Sequence, residues 1–425
     1  MYREIKKCRI CGNKQLRPII HLGEQVLTGV FPRKKNTLIT KGPLELVMCE
    51  GGDGNDSCGL LQLRHSYDSN EMYRNNYGYR SGLNQSMVKH LRRRVEHVLG
   101  IVSLNKGDLI IDIGSNDSTL LQGYPQQDLF LVGIDPAGGR FEKYYPDHIQ
   151  LIPEFFAGEL IERNFSGKKA KVVTSIAMFY DLESPTDFMS QVYNILDDEG
   201  IWVFEQSYMP TMIEKNAYDT ICHEHLEYYA LKQIKWMADR VGFKILDVEF
   251  NQANGGSFAV VVVKNTNKRL KENTALINGI LKEEKLKGLS TPKPYEAFKS
   301  RVYKSRDDLN VFVRDVQKRG ELLLGYGAST KGNVILQFCG LTAKEIPCIA
   351  EINQDKFGCF TPGTKIPIVS EEEAKAKKPD YFLVLPWHFK ENIVQREKLF
   401  LGNGGALVMP LPGIEVIALN KKRVK

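Results

Sequence analysis

The chain has 425 residues, 42% of them apolar and 26% charged, which is long for one hydrophobic core and predicts two or three domains. The net charge of +7 is not concentrated: four positive charges lie in the terminal KKRVK, and no basic run is interleaved with aromatics. This argues against a nucleic-acid partner, and no stretch has the ~18–20 continuous apolar residues of a membrane span. The N-terminus, MYREIKKCRICG, lacks the apolar core of a signal peptide, so we expect a cytoplasmic protein with reduced cysteines.

Residues 1–85 are rich in Cys, Gly and Asn, and they predict a small module with too little core to be stable without a cross-link or a metal. Cys8 and Cys11 have the C-x2-C spacing of a zinc knuckle, and Cys49 and Cys58 form a wider C-x8-C. Four thiolates close a tetrahedral site. We therefore predict a structural Zn²⁺ on these cysteines, the alternative being four free thiols.

Residues 86–268 predict an α/β domain. The apolar runs DLIIDIGS, LFLVGIDP, KVVTSIAMF and GIWVFEQS alternate with helix-like segments, as expected of strands buried on both faces of a parallel sheet. The runs FKILDVEF and SFAVVVVK are joined by NQANGG and predict an antiparallel pair at one end. We expect this domain to contain a mostly parallel, seven-stranded sheet.

The turn after the first of these strands predicts a nucleoside site. Gly114 permits a tight turn and close approach of a ligand to the backbone, and Asp135 ends the second strand 21 residues later, where a carboxylate suits ribose hydroxyls. The full G-x-G-x-x-G of a dinucleotide site is absent. S-adenosylmethionine (SAM), which has no phosphates, fits better, so turn and hairpin together predict a class I SAM-dependent methyltransferase. The alternative is a purely structural glycine turn.

A second α/β unit comes after a bridge. Residues 269–320 predict helices interrupted by the prolines of STPKPYE, and residues 321–425 predict a further Rossmann-like domain. In GYGASTKGNVIL, Ser329 and Lys331 stand at a predicted helix start that suits a phosphate or diphosphate. Taken by itself, this turn is better interpreted as a helix cap with a solvated lysine.

The stretch DTICHEHLEYY, residues 219–229, gathers His223, Glu224 and His225. On a strand the two histidines would face one way and the glutamate the other, whereas the H-E-x-x-H spacing of a helical metal site is absent. The residues alone leave a metal site, an acid–base centre and an ordinary surface turn open.

Together these motifs resemble the sugar C-methyltransferases of deoxysugar biosynthesis, over essentially the whole chain. The resemblance is carried by the four cysteines and by nine short motifs: CGLLQL, YGYRSGLNQSM, DIGSNDSTLL, GIDPA, MFYDLESP, HEHLEYY, GYGASTKGNV, TPGTKIPI and LPWHF. It implies methylation of a carbon beside the ketone of a nucleotide-linked 4-keto-6-deoxy sugar, typically C3, through an enolate. Thymidine diphosphate is the expected nucleotide, and we expect a monomer.

The resemblance also implies roles for residues. His225, Glu224 and Tyr79 are the expected catalytic group: the imidazole takes the α-proton, Glu224 orients it or a sugar hydroxyl, and Tyr79 supports the enolate. The expected SAM contacts are Asp112, Gly114, Ser115, Asn116, Asp117, Asp135, Pro136, Ala177 and Met178. The expected substrate contacts are Tyr77, Arg80, Asp181, His223, Ser329 and Lys331, although for His223 a structural role is the preferred interpretation.

Three positions depart from the family pattern. Cys222 stands where antibiotic-pathway relatives tend to carry Tyr, Asp181 where some carry His, and Ser118 where a Gly is common in the cofactor turn. The first two would lie near the sugar and leave its identity and stereochemistry open.

Other functions are weighed beside this one. A methyltransferase acting on a sugar oxygen or nitrogen would share the architecture but would not need α-proton abstraction. A zinc-bearing nucleic-acid binder lacks the basic–aromatic surface. A scaffold would need neither ligand-type turns nor an acid–base cluster.

Overall fold

The computed structural model describes residues 1–50, 57–74, 78–125 and 128–419, so the expected substrate contact Tyr77 lies outside the described residues. The described residues form three regions that succeed one another along the chain, a β module followed by two α/β units. Each region is built around its own sheet, and contacts between the regions place the candidate site.

The N-terminal region is a small β module. Its strands are β1 (Tyr2–Glu4), β2 (Leu16–Val26), β3 (Lys41–Cys49), β4 (Leu61–Leu63) and β5 (His65–Tyr67). Strands β2, β3 and β4 pair antiparallel in sequence order, and β1 pairs with β5. A single turn of π-helix, Asn70–Arg74, then leads out of the module.

The central region is an α/β sandwich. Its strands are β6 (Leu109–Ile113), β7 (Phe130–Ile134), β8 (Ile149–Ile152), β9 (Ala170–Ile176), β10 (Leu196–Ser207), β11 (Glu227–Tyr228), β12 (Phe243–Asn251) and β13 (Ser257–Lys264). Its helices are α1 (Gln85–Ile101), α2 (Gly138–Phe141), α3 (Gly158–Phe165), α4 (Pro185–Ile195), α5 (Met209–Glu214) and α6 (Leu231–Val241).

Seven of these strands form one sheet in the order β12-β13-β10-β9-β6-β7-β8. All neighbours are parallel except β13, which runs antiparallel to both β10 and β12. The expected parallel sheet with an antiparallel pair at one end is confirmed. Strands β6, β9 and β10 are buried on both faces, which explains why their sequences are continuous apolar runs.

Strand β11 does not belong to that sheet. Glu227 and Tyr228 pair with Gln62 and Leu61 of β4, so the central region contributes the edge strand of the N-terminal four-stranded sheet. The acid–base stretch therefore lies where the two regions meet.

Two helices, α7 (Thr274–Leu286) and α8 (Lys293–Lys318), connect the central and C-terminal regions. The C-terminal region has strands β14 (Leu323–Tyr326), β15 (Ile349–Glu351), β16 (Ile368–Ser370), β17 (Tyr381–Val384), β18 (Ala406–Met409) and β19 (Glu415–Ile417). Its helices are α9 (Thr330–Cys339), α10 (Glu371–Ala376), α11 (Lys390–Arg396) and α12 (Lys398–Gly402). The sheet order is β16-β15-β14-β17-β18-β19, parallel except for β19, which confirms a second Rossmann-like unit.

Among the described residues, no helix is both long enough and apolar enough to cross a membrane.

Candidate active site

The turn between β6 and β7 is closed by backbone and carboxylate hydrogen bonds. The Gly114 amide donates to the Ile134 carbonyl at 2.8 Å, which brings the ends of the two strands together. The Asp135 carboxylate accepts the amides of Asn116 at 2.8 Å and Ala137 at 2.7 Å. Asp135 is thereby fixed at the carboxyl edge of the sheet, where α/β folds bind nucleosides.

The same edge concentrates unusual backbone conformations. Asn116, Ser118 and Ala177 have positive φ values of 51°, 62° and 56°, which L residues rarely adopt. Gly114 has φ 76°, and a Cβ there would meet the Met178 Cγ at 3.0 Å. The backbone is thus held in a form that admits a ligand closely. This cradle and the Asp135 carboxylate fit an adenosine without phosphates.

The remaining expected cofactor contacts lie around this turn. Asp112 is 3% exposed and accepts a 2.6 Å bond from Thr174, and burial raises the pKa of its carboxyl to about 7. The Ser115 hydroxyl lies 2.8 Å from that of Tyr145. Pro136 directly follows the ribose-type carboxylate.

The segment Tyr79–Gly82 is tied to the cofactor turn. Asn116 donates from Nδ2 to the Tyr79 carbonyl at 3.1 Å and accepts the Ser81 amide at 2.9 Å. Asp117 accepts the Gly82 amide at 2.9 Å, and its carboxylate lies 3.7 Å from the Arg80 guanidinium. The two motifs, far apart in sequence, are therefore neighbours. Tyr79 is 45% exposed, although protein atoms around its hydroxyl raise its pKa to about 12.

The stretch 222–225 forms a turn and not a strand, so the alternation that would place both histidines on one side of a strand does not apply. The His225 amide donates to the Cys222 carbonyl at 3.2 Å. The His225 Nδ1 lies 3.0 Å from the Thr220 carbonyl, and its ring packs against the Tyr180 ring at an interplanar angle of 53°, with centroids 4.2 Å apart. Because a carbonyl only accepts, Nδ1 carries the proton and Nε2 is the basic nitrogen.

The ring of His225 stays neutral. Burial, with a contribution from the nearby Lys331 charge, lowers the pKa of the imidazole to about 3. His223 is completely buried. It packs edge-on against Tyr67 at 4.6 Å, and its Nε2 has no hydrogen-bond partner among the described residues. These contacts favour the structural interpretation of His223.

Glu224 is held by the N-terminal module. The Thr28 hydroxyl lies 3.3 Å from the Glu224 Oε2 and 3.3 Å from the His223 Nδ1. Gly29 leaves the carboxylate its space, because a Cβ there would stand 2.2 Å from the Glu224 Oε1. Burial raises the pKa of the Glu224 carboxyl.

Asp181 completes a buried acidic pair. Its Oδ1 is buried without a hydrogen-bond partner in the described chain, and its pKa is raised well above the ordinary value by burial and by the neighbouring Glu224. Tyr73 donates from its hydroxyl to the Glu224 carbonyl at 3.2 Å and also bonds the Asp181 side chain. Cys222 is fully buried beside both carboxyls.

The C-terminal region supplies the cation. Ser329 caps α9 by accepting the Gly332 amide at 3.0 Å, and Lys331 donates to the Asn254 carbonyl at 2.9 Å. Burial lowers the Lys331 pKa, whereas the carboxylate of Asp219 raises it. This cation, next to His225, has no hydrogen-bonded anion among the described residues.

Three regions therefore meet at one place. Asn333 of α9 donates to the Thr28 carbonyl at 2.7 Å, and the Trp387 Nε1 donates to Asp219 at 2.8 Å. Thr28, Tyr73 and Asp219 are not among the site residues predicted from the sequence. Thr28 and Tyr73 carry no local signal, since their importance comes only from the docking of the module on the central region.

The N-terminal cysteines converge. The Sγ atoms of Cys8, Cys11, Cys49 and Cys58 all lie within 4.8 Å of one another. In the part of the chain that the structure describes, this is the single group of His, Cys, Asp and Glu close enough to hold a metal, so the His-Glu-His stretch is not a metal site. Four converging thiols with few polar neighbours fit a structural zinc ion.

Comparisons with known proteins agree with this geometry. Residues 8–73 match the family described as "Putative zinc binding domain", residues 85–248 match "Methyltransferase domain", and residues 252–412 match "C-methyltransferase C-terminal domain". Fold and site together define a class I SAM-dependent methyltransferase with a zinc-binding module.

The chain is 29% identical, over 98% of its length and 98% of the relative's, to the C-methyltransferase NovU of Streptomyces niveus. Two solved methyltransferase structures are similar to part of the chain. Magnesium protoporphyrin IX methyltransferase from Synechocystis PCC 6803 has 13% identity and a TM-score of 0.31 over 42% of this chain and 79% of that one. The CcbJ methyltransferase from Streptomyces caelestis has 10% identity and a TM-score of 0.32 over 41% and 89%.

The three matched families, in this order along the chain, and the similarity to a C-methyltransferase over nearly the whole length support the resemblance to C-methyltransferases that the motifs indicated. The protein is a SAM-dependent C-methyltransferase.

Proposed function

We propose that the protein methylates C3 of a nucleoside-diphospho 4-keto-6-deoxy sugar, the α-carbon beside the ketone, through an enolate. The observation that carries the proposal is the His225 imidazole. It is neutral, oriented by Thr220 with Nε2 as its basic nitrogen, and set beside a lysine that lacks a hydrogen-bonded anion among the described residues.

Proton abstraction needs a base that is free at working pH. A proton α to a carbonyl is weakly acidic and does not leave without a positioned base. The Lys331 charge disfavours the imidazolium in the substrate-free protein. A bound diphosphate would neutralise that charge, so substrate binding would itself raise the basicity of His225.

Glu224 and Asp181 suit sugar hydroxyls. Both carboxyls are buried with raised pKa values, and Asp181 has an oxygen without a partner in the described chain. A protonated carboxyl donates one hydrogen bond and accepts others, which matches a hydroxyl-rich ligand. Tyr79 is the proposed support for the enolate oxygen, and Arg80 is a proposed substrate contact.

SAM supplies an electrophilic methyl group when bound. The residues proposed to hold it are Gly114, Asp135 and the Ala177–Met178 turn, with Asp112, Ser115, Asn116, Asp117 and Pro136 around them. Proposed bounds are 1–85 for the zinc module, 86–268 for the methyltransferase core, 269–320 for the bridge and 321–425 for the nucleotide-sugar domain. A thymidine nucleotide, a monomer and a cytoplasmic location complete the proposal.

The test is mass spectrometry of the protein incubated with SAM and thymidine-diphospho-4-keto-6-deoxyglucose in deuterated buffer. We expect a product heavier by one methyl group, and with SAM omitted, deuterium entering the sugar at C3. Methylation without any deuterium exchange would overturn the enolate route and favour an oxygen or nitrogen acceptor. Exchange without methylation would show that the base acts but that the sugar is another one.

A further inference from the structure

The knuckle that carries Cys8 and Cys11 also contains a buried arginine. Arg9 lies between Cys8 and Cys11, and its side chain is 3% exposed. Its guanidinium donates to the Leu63 carbonyl at 2.6 Å and to the Ser66 hydroxyl at 2.9 Å, while its amide donates to the Gln62 side chain at 3.1 Å. The knuckle thus fixes Arg9 against β4 and β5.

A buried carboxylate faces this arginine from the central region. The Glu227 side chain is 0% exposed, and its Oε1 lies 3.6 Å from the Arg9 Nε. Neither Glu227 oxygen has a hydrogen-bond partner among the described residues, and no other cation there lies within ion-pair distance of it. A second carboxylate, Glu183, lies 3.8 Å from the Arg9 Nε but is 40% exposed.

Glu227 stands two residues after His225, and the backbone between them is held from both sides. The Leu226 amide donates to the Tyr180 carbonyl at 2.8 Å, and the Leu63 amide donates to the Leu226 carbonyl at 2.8 Å. The Tyr180 ring also packs against the His225 ring, with centroids 4.2 Å apart. Any shift of Glu227 is therefore transmitted to the imidazole.

We propose that Arg9 is a positioning residue for the acid–base turn: through its buried ion pair with Glu227 it fixes the place of His225. Buried ion pairs contribute little net stability, because desolvation offsets the attraction, but removing one partner leaves an uncompensated charge. The pair specifies where β11 docks. The zinc module thereby acts on the reaction and not only on folding, an inference that rests on the proposed role of His225.

The experiment is a double-mutant cycle with Arg9→Gln, Glu227→Gln and both together, each checked for one zinc ion per chain. In either single variant we expect the rate of deuterium entry at C3 and kcat to fall about tenfold or more, since a displacement of about 1 Å can cost 10²-fold. The KM for SAM stays constant. In the double variant, two amides can bond each other, so most of the rate returns.

Arg3 is the matched control. It also pairs with Glu183, at 3.1 Å, but its side chain is 73% exposed, so Arg3→Gln keeps the full rate. If Arg9→Gln does not fold, Arg9→Lys keeps the charge without the fork and is expected to give an intermediate rate. Full rates in both single variants, or losses that simply multiply in the double variant, would overturn the proposal.

A second readout separates this inference from the proposed function. The NMR resonance of the His225 ring proton on Cε1, assigned by its absence in His225→Asn, should shift in each single variant. In the double variant it should return to its wild-type position. If the wild-type protein gives no deuterium entry, the proposed function fails, yet this shift still supports the positioning. An unmoved resonance in both single variants overturns it.

Discussion

Two glycine turns, one in the central region and one in the C-terminal region, share a hydrogen-bond pattern but lead into different elements. Gly114 and Gly327, with φ 76° and 80°, each donate at 2.8 Å to a residue at the end of the next strand, Ile134 and Ala350. The residue after that acceptor is Asp135 in one turn and Glu351 in the other, and each carboxylate accepts an amide of its own glycine turn. The two regions thus build the same frame.

The difference lies in the residues that come after each glycine. After Gly114 come non-helical turns with strained Asn116 and Ser118, and the first regular element is a short 3₁₀ turn, Leu121–Gly123. After Gly327, Ser329 caps the ten-residue helix α9, and Lys331 lies in the first turn of that helix. A helix N-terminus with a lysine favours anions, whereas a bare strained turn does not. This difference is consistent with the proposal that the first frame binds SAM and the second a diphosphate.

The largest effect on the rate is expected from substitution of His225. His225→Asn is expected to lower the rate of methylation and of deuterium entry by about 10²–10⁴-fold, because an amide cannot take the proton. Calorimetric binding of SAM should stay at the wild-type value. His148→Asn, on an exposed loop, is the control; a His225→Asn variant with near-normal turnover would remove the assignment.

Lys331→Met should weaken binding of the nucleotide sugar at the second turn and leave binding of SAM at the first turn unchanged. We expect the KM for the nucleotide sugar to rise about 10–100-fold, as for loss of a charged hydrogen bond, with SAM affinity unchanged. Steady-state kinetics with each substrate varied in turn measure this. The exposed Lys344→Met is the control, and equal losses for both substrates would mean that the turns are not separate sites.

Asp135→Asn should have the converse effect. We expect the Kd for SAM to rise about tenfold through loss of a charged acceptor, while the KM for the sugar nucleotide is unchanged. Isothermal titration of SAM gives the answer, with the exposed Asp147→Asn as control. A rise in the sugar KM instead would reverse the assignment of the two turns.

The pH dependence tests the environment of His225. Burial and Lys331 lower its pKa to about 3 in the substrate-free protein, so kcat/KM for deuterium entry, which reports the free enzyme, should show no inflection from this group between about pH 5 and 8. The same shift makes the unfolded state bind more protons at acid pH. The contribution of the neutral, buried His225 ring to the free energy of unfolding is complete above about pH 6.5 and is lost as the pH falls towards 3. Urea unfolding of wild type and His225→Asn at several pH values measures it, and an inflection near 6.5 would mean an exposed ring.

The smallest effect is expected at Ser118, whose φ of 62° explains why a glycine suits this position. Ser118→Gly relieves the strain but loses the 2.9 Å bond from Gln122 and adds backbone entropy to the unfolded chain. We expect the free energy of unfolding to change by less than about 1 kcal/mol and kcat to stay constant. A loss of SAM affinity would show that the serine itself binds.

The turns and the zinc ligands could be predicted because their signals are local. Gly114 and Asp135 lie at strand ends that periodicity identifies, and the four cysteines have ligand spacing in the sequence. The seat of Glu224 could not be predicted. It depends on Thr28 and Gly29, which lie about two hundred residues away and meet it only through domain docking. The sequence left both a strand and a turn possible at 222–225. In the structure the extended backbone begins only with β11, two residues further on.

Strand β11 has a consequence for engineering. Since Glu227 and Tyr228 complete the sheet of the zinc module, that module is not a contiguous cassette of the chain. A chimera that exchanges residues 1–85 between relatives must carry the segment 222–229 with them, or the donor module will present its edge strand to a foreign partner. Exchange of the zinc module within this architecture therefore requires that both segments be transferred together.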